Sequence, residues 1–404
     1  MIILAWKNIW RNPTRSLIML TAIVIGVISG SLFTAFYNGM IYQRINDAIS
    51  NETSNIQIHT PQYLENKEIT DTIPHISQII QHLDTLKNLK AYSLRFKTMA
   101  MISSANNNTG VVFIGVDPEK ERATTNIWKH IVQGEYFPPD RKNGMLIGEK
   151  LAEKLKNKIR SKVVVTLQDT RGNVVSAAFR IVGIFNTGNT GFDERVVYTT
   201  QSDVLKLFPD TMPLIHEIAI ALYDDQYTTT YVSQLQKVLP FVDIKSWKEL
   251  YPEVGLMADY TQYLQLIFMT IIFLALSFGI INTMLMAVME RTRELGMLMA
   301  IGMKRSKIFL MITYETVLLM GCGTIVGLGF SYLLVELLSI SGINLASFAR
   351  GLNQMGFSAI VYPVLTLREY MQTVELVIIA GIISSLIPAR RALKLMPSEA
   401  LRKQ

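Results

Sequence analysis

The sequence predicts a membrane protein with four transmembrane helices, arranged as one followed by three, and a large α+β extracytoplasmic domain between the first two. Three observations predict it. The chain has 404 residues, 50% of them hydrophobic, and a mean hydropathy of +0.27, which is too apolar for an ordinary soluble protein. Four segments are long and apolar enough to cross a bilayer. Basic residues are concentrated on one side of these segments.

The four segments carry almost no charge. The first three contain uncharged stretches of at least 20 residues, and the fourth contains only Glu375. A hydrocarbon core requires about 20 apolar residues per helix. We therefore predict spans at residues 17–37, 261–289, 308–336 and 370–389. The first stretch is longer than the apolar region of a signal peptide and lacks a small-residue cleavage site, so we expect a retained anchor.

The distribution of charge predicts the topology. The segments outside the spans at 1–16, 290–307 and 390–404 contain 13 basic and three acidic residues, whereas residues 38–260 contain 24 basic and 25 acidic ones. Basic residues favour the cytoplasmic side. Both termini and the 290–307 loop are therefore expected in the cytoplasm, and residues 38–260 and the 337–369 loop outside it. The near-neutral insert gives no reason to expect nucleic-acid binding.

The leading segment is predicted to be a short interfacial helix. Trp6 and Trp10 lie one helical turn apart beside Lys7 and Arg11, a pattern typical of indoles at headgroup depth with cations toward water. A plain basic flank is the alternative.

The insert combines strand and helix patterns. Runs at 110–116, 162–167, 177–185 and 218–222 are rich in β-branched residues, and apolar residues recur at helical spacing around 76–86 and 232–239. We expect an α+β domain, with a boundary between two subdomains near 118–147. After Pro252 the chain is expected to continue into the second span as a helical stalk. The single cysteine, Cys322, leaves this domain without a disulfide.

Glycines in two spans predict close helix packing. Gly26 and Gly30 lie in the first span, and Gly323 and Gly327 in the third. Small residues at this spacing let helix backbones approach closely. Packing within the chain and packing between two copies are both open.

Two kinds of site, a phosphate-binding loop and a zinc-protease motif, do not fit the residues. The string from Gly296 to Ser306 has the wrong spacing for a phosphate-binding loop, and Ile220 stands where a zinc protease would have its second histidine. We expect no metal and no nucleotide bound by this chain. Glu315, an acid inside the third span, is a functional candidate because buried charge is costly there. Two roles are open for it: a structural ion pair or hydrogen bond to a neighbouring helix, and a proton or substrate site.

The loop between the second and third spans carries the most information. Charged residues begin it, Leu295, Leu298, Met299 and Ile301 supply an apolar face, and Gly302 is suited to end a helix in a left-handed turn. A short helix with an exposed apolar face needs a partner surface, and methionine suits a surface that repacks. The alternative is an amphipathic helix on the lipid. The residues assigned to this helix are Glu290, Arg291, Arg293, Glu294, Leu295, Gly296, Leu298, Met299, Ala300 and Gly302.

This loop resembles the E-R-x-x-E-x-G-x-x-x-A-x-G signature of the FtsX/MacB-type (type VII) ABC permease family. The Trp/Arg-rich start, Glu315 before a glycine run, and the tail Pro-Ala-Arg-Arg-Ala at 388–392 with Pro-Ser-Glu-Ala-Leu-Arg at 397–402 are similar to the same family. In the insert, Gly-Val-Asp-Pro at 115–118 and Gly-Ile-Phe-Asn-Thr-Gly at 183–188 resemble its MacB-like periplasmic domain. The string 185–193 is similar to the lipoprotein-releasing LolC/LolE branch.

The resemblance implies an inner-membrane permease of bacteria without ATPase activity of its own. Two copies of a separate ABC ATPase would bind ATP and magnesium, a second permease copy or paralogue would complete a dimer, and the 290–302 helix would couple the two. The substrate would be a lipoprotein or another amphiphile taken from the outer leaflet. The alternatives are mechanical regulation of a cell-wall hydrolase and MacB-like efflux of peptides or antibiotics.

Overall fold

The computed structural model describes residues 2–139, 141–208 and 214–393. It divides into two compact units. We call Met1–Ile41, Tyr260–Asn344 and Ile360–Gln404 the membrane unit, and Tyr42–Asp259 with Leu345–Ala359 the insert domain. The part of the tail from 394 onward, including the 397–402 motif, lies outside the described residues.

The α-helices of the described chain are α1 (Ile2–Ile9), α2 (Pro13–Asp47), α3 (Tyr63–Asn66), α4 (Ile76–Leu83), α5 (Pro118–Thr124), α6 (Glu149–Leu155), α7 (Thr190–Arg195), α8 (Gln201–Leu205), α9 (Thr228–Val238), α10 (Trp247–Leu250), α11 (Pro252–Glu290), α12 (Thr292–Ala300), α13 (Arg305–Ser341), α14 (Ala349–Gln354) and α15 (Leu367–Leu393). A π-helical turn, Ala48–Thr53, follows α2.

The strands are β1 (Ile56–His59), β2 (Leu89–Ser103), β3 (Asn108–Val116), β4 (Ile131–Gly134), β5 (Gly144–Gly148), β6 (Lys162–Gln168), β7 (Val174–Phe185), β8 (Val196–Thr200), β9 (Glu217–Leu222), β10 (Asp243–Ser246), β11 (Ile343–Asn344) and β12 (Ile360–Val361). The four runs predicted as strands lie within β3, β6, β7 and β9. The two helical patterns correspond to α4 and α9.

Four helices, α2, α11, α13 and α15, are long and apolar enough to cross a membrane. With the α+β insert between the first two, they confirm the predicted fold class. The helices extend past the predicted spans because polar residues continue the helix beyond each apolar stretch. Two of them begin at proline, Pro13 and Pro252, a residue suited to the first helical turn because its nitrogen needs no hydrogen-bond partner there.

The glycines of the spans pack within the chain. A Cβ on Gly26 would lie 2.8 Å from the Leu276 side chain, and one on Gly323 would lie 2.6 Å from Ile23. Gly30 faces Met269 and Gly327 faces Val27 in the same way. The first pair therefore seats α2 against α11, and the second seats α13 against α2. Intrachain packing accounts for all four positions.

A mostly antiparallel sheet organises the insert domain. Its strand order is β10-β1-β9-β2-β3-β8-β5-β7-β4, with β6 joining β2 and β7. The long strand β2 serves both halves, because Leu89–Arg95 pair with β9 and Phe96–Ser103 pair with β3. Separate apolar cores flank this point, one around Ile218 and the other around Phe113.

Two expectations about the insert were wrong. The boundary between its halves lies within β2 and not near 118–147, because a single continuous strand is shared between two cores. The segment between the third and fourth spans is also more than a loop. Its ends, Ile343–Asn344 and Ile360–Val361, pair as β11 and β12, and Leu345–Ala359 between them belongs to the insert domain.

The helical stalk after Pro252 is present. Within the insert domain, the first turns of α11 pack through Val254 against Trp247 of α10 and Ala48 of the π-helical turn. Trp247 also donates its indole N–H to Asp225, at 2.9 Å. These contacts join the end of α2, the start of α11 and the body of this domain. We call these parts of α2 and α11 the first and the second stalk.

Candidate functional site at the junction of the second and third spans

The junction between α11 and α13 is built by two breaks in an otherwise helical chain. Arg291, with φ −96° and ψ 16°, separates the end of α11 from α12, so the predicted continuous helix from 290 is interrupted there. Gly302 has φ +96° and ends the helical segment in the left-handed turn that its sequence position predicted. The Met303 N–H returns to the Leu298 carbonyl at 3.0 Å, which satisfies a terminal carbonyl.

Ion pairs hold α12 to the start of the chain. Arg11 binds Glu294 through both of its terminal nitrogens, one contact being 2.9 Å. Arg15 pairs with Glu290 at the end of α11. The hydrogen bond from Arg11 lowers the pKa of Glu294 below its ordinary value, so this carboxylate is charged at neutral pH. Exposed pairs contribute only about 0–1 kcal/mol each, but a bidentate pair within a network fixes orientation.

Arg291 connects the same network to the third span. Its guanidinium lies 3.2 Å from the Glu315 carboxylate and 3.4 Å from Glu294. Glu315 is 8% exposed, and Arg291 is the charged partner that its location requires. Of the two roles that the sequence left open for Glu315, the geometry favours the structural ion pair.

One expectation about the exposed face of α12 was wrong. Leu295 is only 3% exposed and belongs to the core of the membrane unit, and Met299 packs against that core. Because Arg291 breaks the helix, α12 turns its Leu295 side inward. The side chains left exposed are Arg293, Met297, Ala300 and Ile301, and Ile301 is 78% exposed. We call these four residues the outward face. Their spacing places them on one side of a helix.

Helix α1 supports the junction from the other side. Ala5 and Ile9 are buried and α1 packs against α13, whereas Trp6 and Trp10 are about half exposed, with their rings edge-to-face at 6.0 Å. The Ser16 hydroxyl donates to the Ile9 carbonyl at 2.5 Å and closes the turn into α2. The helix is thus both amphipathic, as predicted, and packed on the protein.

The insert domain contains a buried charge network that the sequence analysis did not predict. Arg95, at the point where β2 passes between the two cores, donates to Glu121 at 2.7 Å and to Glu217 at 2.6 Å. Lys97 also reaches Glu217 at 2.6 Å. Arg95 lies 26 positions from Glu121 and 122 positions from Glu217 in the chain. The only available signal was charge inside β-rich segments, which usually marks a solvent-facing position.

The string similar to the lipoprotein-releasing branch forms a capped helix. The Asn189 side chain accepts hydrogen bonds from the first turn of α7, and the Asp193 carboxylate accepts from the Thr187 N–H and hydroxyl. The five histidines do not form a ligand cluster in the described ranges. His59 and His216 are buried and lie against the Tyr63 ring.

Comparison with known proteins agrees with this architecture. The family model for the MacB-like periplasmic core domain matches residues 16–238, more than half of the chain, and the model for the FtsX-like permease C-terminal region matches residues 266–397. The chain belongs to the FtsX/MacB permease family. The C-terminal match includes α12, the break at Arg291 and Glu315.

Relatives within this FtsX/MacB family differ in length and in stated role. The chain is 23% identical to the pyoverdine export ATP-binding/permease protein PvdT of Pseudomonas fluorescens. The alignment covers 99% of this chain but only 59% of the length of PvdT. It is 24% identical to the lipoprotein-releasing system transmembrane protein LolC of Buchnera aphidicola, over 98% of this chain and 96% of that one. The crystal structure of the periplasmic region of MacB from Actinobacillus actinomycetemcomitans aligns with 53% of the chain and 97% of its own, at 12% identity and a TM-score of 0.36.

Proposed function

We propose that this permease is the membrane subunit of an ABC transporter, and that its α12 docks on a separate ATPase. The outward face carries the proposal. Met297 and Ile301 are 48% and 78% exposed, and the side of α12 opposite to them is fixed by Leu295, Arg11 and Arg291. An exposed apolar surface on a rigidly held helix is typical of a docking element. ATP with magnesium would bind to the partner chain, and the permease would act as a dimer with a copy or a paralogue.

The docking is tested by Met297→Asp and Ile301→Asp, each expected to abolish copurification of the ATPase from detergent extracts. Met101→Asp is a matched control, because Met101 of the insert domain is a methionine of nearly equal exposure, 49%. A variant permease that is expressed at the normal level but no longer copurifies with the ATPase supports docking. Retention of the ATPase by both outward-face variants would favour a helix that lies on the lipid surface instead.

The orientation proposed from the charges places both termini and α12 in the cytoplasm of a bacterium and the insert domain in the periplasm. Ser202 and Ser306 are both exposed and lie in different units. Ser306 is not part of the outward face. In a Cys322→Ser background, a cysteine at Ser202 should react with an impermeant thiol reagent added outside the inner membrane. One at Ser306 should react only after permeabilisation. The reverse pattern would refute the orientation.

We further propose that the substrate is an amphiphile, such as a lipoprotein, taken from the outer leaflet. A cavity of about 170 Å³ lies among the insert-proximal ends of α2, α11 and α15. Its polar lining comes from Thr34, Gln262, Gln265, Glu369 and Gln372, and its apolar wall from Leu266, Met269 and Leu376. Such a mixed lining suits a polar headgroup joined to acyl chains. Nearer the N-terminus of α2, Gly26 and Gly30 lie close to Leu276 and Met269 and so bring α2 against α11.

Release of a triacylated lipoprotein from proteoliposomes, dependent on ATP and the ATPase, tests this substrate class. Similarity to PvdT and to macrolide export proteins favours efflux as the second candidate. Cells depleted of the permease would then keep lipoprotein sorting intact and become sensitive to macrolides or peptides. Unseparated cells with normal sorting would indicate regulation of a cell-wall hydrolase.

A further inference from the structure

We propose that the segment Leu345–Ala359, which joins the third and fourth spans and belongs to the insert domain, is a third mechanical link between the spans and the body of that domain, with Arg44 as its positioning residue. The inference rests on the proposed function and requires that α12 transmits nucleotide-driven changes from the ATPase to the permease, which we call the coupling function. The chain passes between the membrane unit and the insert domain at four points, 41/42, 259/260, 344/345 and 359/360. The first two belong to the stalk helices α2 and α11. The last two bring the third and fourth spans into direct connection with the insert domain.

The segment contacts the first stalk through a glycine. Gly356 has φ +76°, and a Cβ there would lie 2.7 Å from Nε and 2.9 Å from Cζ of Arg44. The guanidinium of Arg44 therefore lies directly against the Gly356 backbone. The next residue, Phe357, is only 6% exposed. This close approach leaves no room for a side chain at 356.

Arg44 also forms an ion pair with a residue of the π-helical turn. Its Nη1 lies 2.9 Å from Oε1 of Glu52, and both side chains are almost completely buried. Glu52 lies in the turn Ala48–Thr53 that ends the first stalk. A π-helical turn is a strained departure from regular helix that often marks a functional position. Because removal of either charge would leave the other buried without its partner, the pair holds this turn in one arrangement.

Glu52 then connects to the body of the insert domain. The same Oε1 accepts a hydrogen bond from Nδ2 of Asn189, at 2.9 Å. The Oδ1 of Asn189 accepts from the N–H groups of Gly191 and Phe192, at 3.0 and 3.3 Å, and so caps α7. Helix α14 of the segment packs against α7. The segment therefore reaches α7 by two routes. One runs through Arg44, Glu52 and Asn189, and the other is the direct contact between α14 and α7.

Two glycines of the segment give a matched pair of variants. Gly356→Ala drives a methyl group into the Arg44 guanidinium, whereas a Cβ on Gly351 in α14 has nothing within 4 Å. Because alanine is also strained at φ +76°, Arg44→Met provides an independent break of the same link. Arg44→Lys preserves the charge and is the conservative variant.

The experiment is hydrogen exchange, read by mass spectrometry, on the full permease–ATPase complex with and without a non-hydrolysable ATP analogue. In the native complex, nucleotide should change the exchange of α12, the 48–53 turn and α7. In Gly356→Ala and Arg44→Met the change at α12 should persist and the change at α7 should be lost. Gly351→Ala should behave as the native chain, and Arg44→Lys should retain the α7 response. A purely structural role of Arg44 would instead raise exchange at α7 equally with and without nucleotide.

The outcomes separate this proposal from the docking proposal. An α7 response that survives in Arg44→Met overturns the third link while leaving the docking of α12 intact. If Gly356→Ala does not fold, the two Arg44 variants decide the question alone. Absence of any nucleotide effect at α12 in the native complex refutes the coupling function, and the third link with it.

Discussion

Arg291 and Glu315 form an ion pair, with Nη1 and Oε1 3.2 Å apart, between the break that begins α12 and the interior of the third span. Arg291 also lies 3.4 Å from Glu294, which binds Arg11 near the chain start. Arg291 thus joins α12 to α13, and Glu294 joins α12 to the turn between α1 and α2. We therefore expect a movement of α12 to be transmitted to α13 and to this turn.

Removal of Glu315 should therefore destabilise the permease through the charge left behind. We expect Glu315→Leu to cost about 1–3 kcal/mol, because Arg291 loses its partner in the third span and keeps only Glu294, 3.4 Å away. The thermal unfolding midpoint in detergent should fall accordingly. The double variant Arg291→Met with Glu315→Leu should recover most of the loss, because the arginine that lost this partner is removed as well. If the double variant is as unstable as the single one, the ion pair is not the reason for the effect.

Exchange of the charges at Arg11 and Glu294 should separate electrostatics from residue identity. Arg11→Glu places two carboxylates together and should weaken ATPase copurification by freeing α12. The swap Arg11→Glu with Glu294→Arg should restore it in part, and the remaining defect should increase with salt, since exposed pairs are screened. Copurification at low and high ionic strength is the measurement. Equal loss in the single and swapped variants would mean that Glu294 itself contacts the ATPase.

The glycine contacts predict a position-dependent effect of bulk. Gly327→Ile would drive a side chain into Val27 and the Val24 carbonyl, 2.9 and 3.3 Å from the Cβ position, whereas Gly329 has nothing within 4 Å. Overpacking costs about 1–3 kcal/mol, so Gly327→Ile should unfold at a lower temperature than Gly329→Ile. The opposite ranking would place Gly329, and not Gly327, in an interface, for example between two copies.

The insert domain should lose stability in acid at His59. Burial lowers the pKa of His59 to about 4, so the unfolded state binds a proton below its ordinary pKa of about 6.5 while the folded state does not. The stability present above that value is lost as the pH falls toward 4. His59→Gln should flatten this part of the profile, which is followed by denaturant unfolding between pH 7 and 4.

Asp193 and Glu217 are among the other groups that contribute to that profile. Burial raises the pKa of Asp193 to about 7, so its contribution grows as the pH falls from 7 to 4 and opposes that of His59. Burial also acts to raise the pKa of Glu217, but Lys97 and Arg95 outweigh it and lower the pKa to about 2. Its contribution is therefore lost only below about pH 4.5. The difference between native and His59→Gln proteins isolates the histidine, and parallel profiles would contradict its assignment.

The sequence by itself determined the elements that depend on local pattern. Uncharged stretches require helices in a bilayer, so Leu17–Tyr37 and Thr261–Met289 predicted two spans. Runs rich in β-branched residues predicted β7 and β9, and Gly302 predicted the turn after α12. These features follow from hydropathy, periodicity and backbone freedom over a few neighbouring residues, all of which can be read along the chain.

Only the tertiary structure decided which side of each element is used. Whether Leu295 or Ile301 faces outward depends on the break at Arg291, which pairs with Glu315 of the third span, 24 positions away in the chain. The pairing of Arg95 with Glu121 and Glu217, and the contact of Gly356 with Arg44, join residues between 26 and more than 300 positions apart. Such contacts are fixed by the packing of whole helices and strands, and no local pattern encodes them.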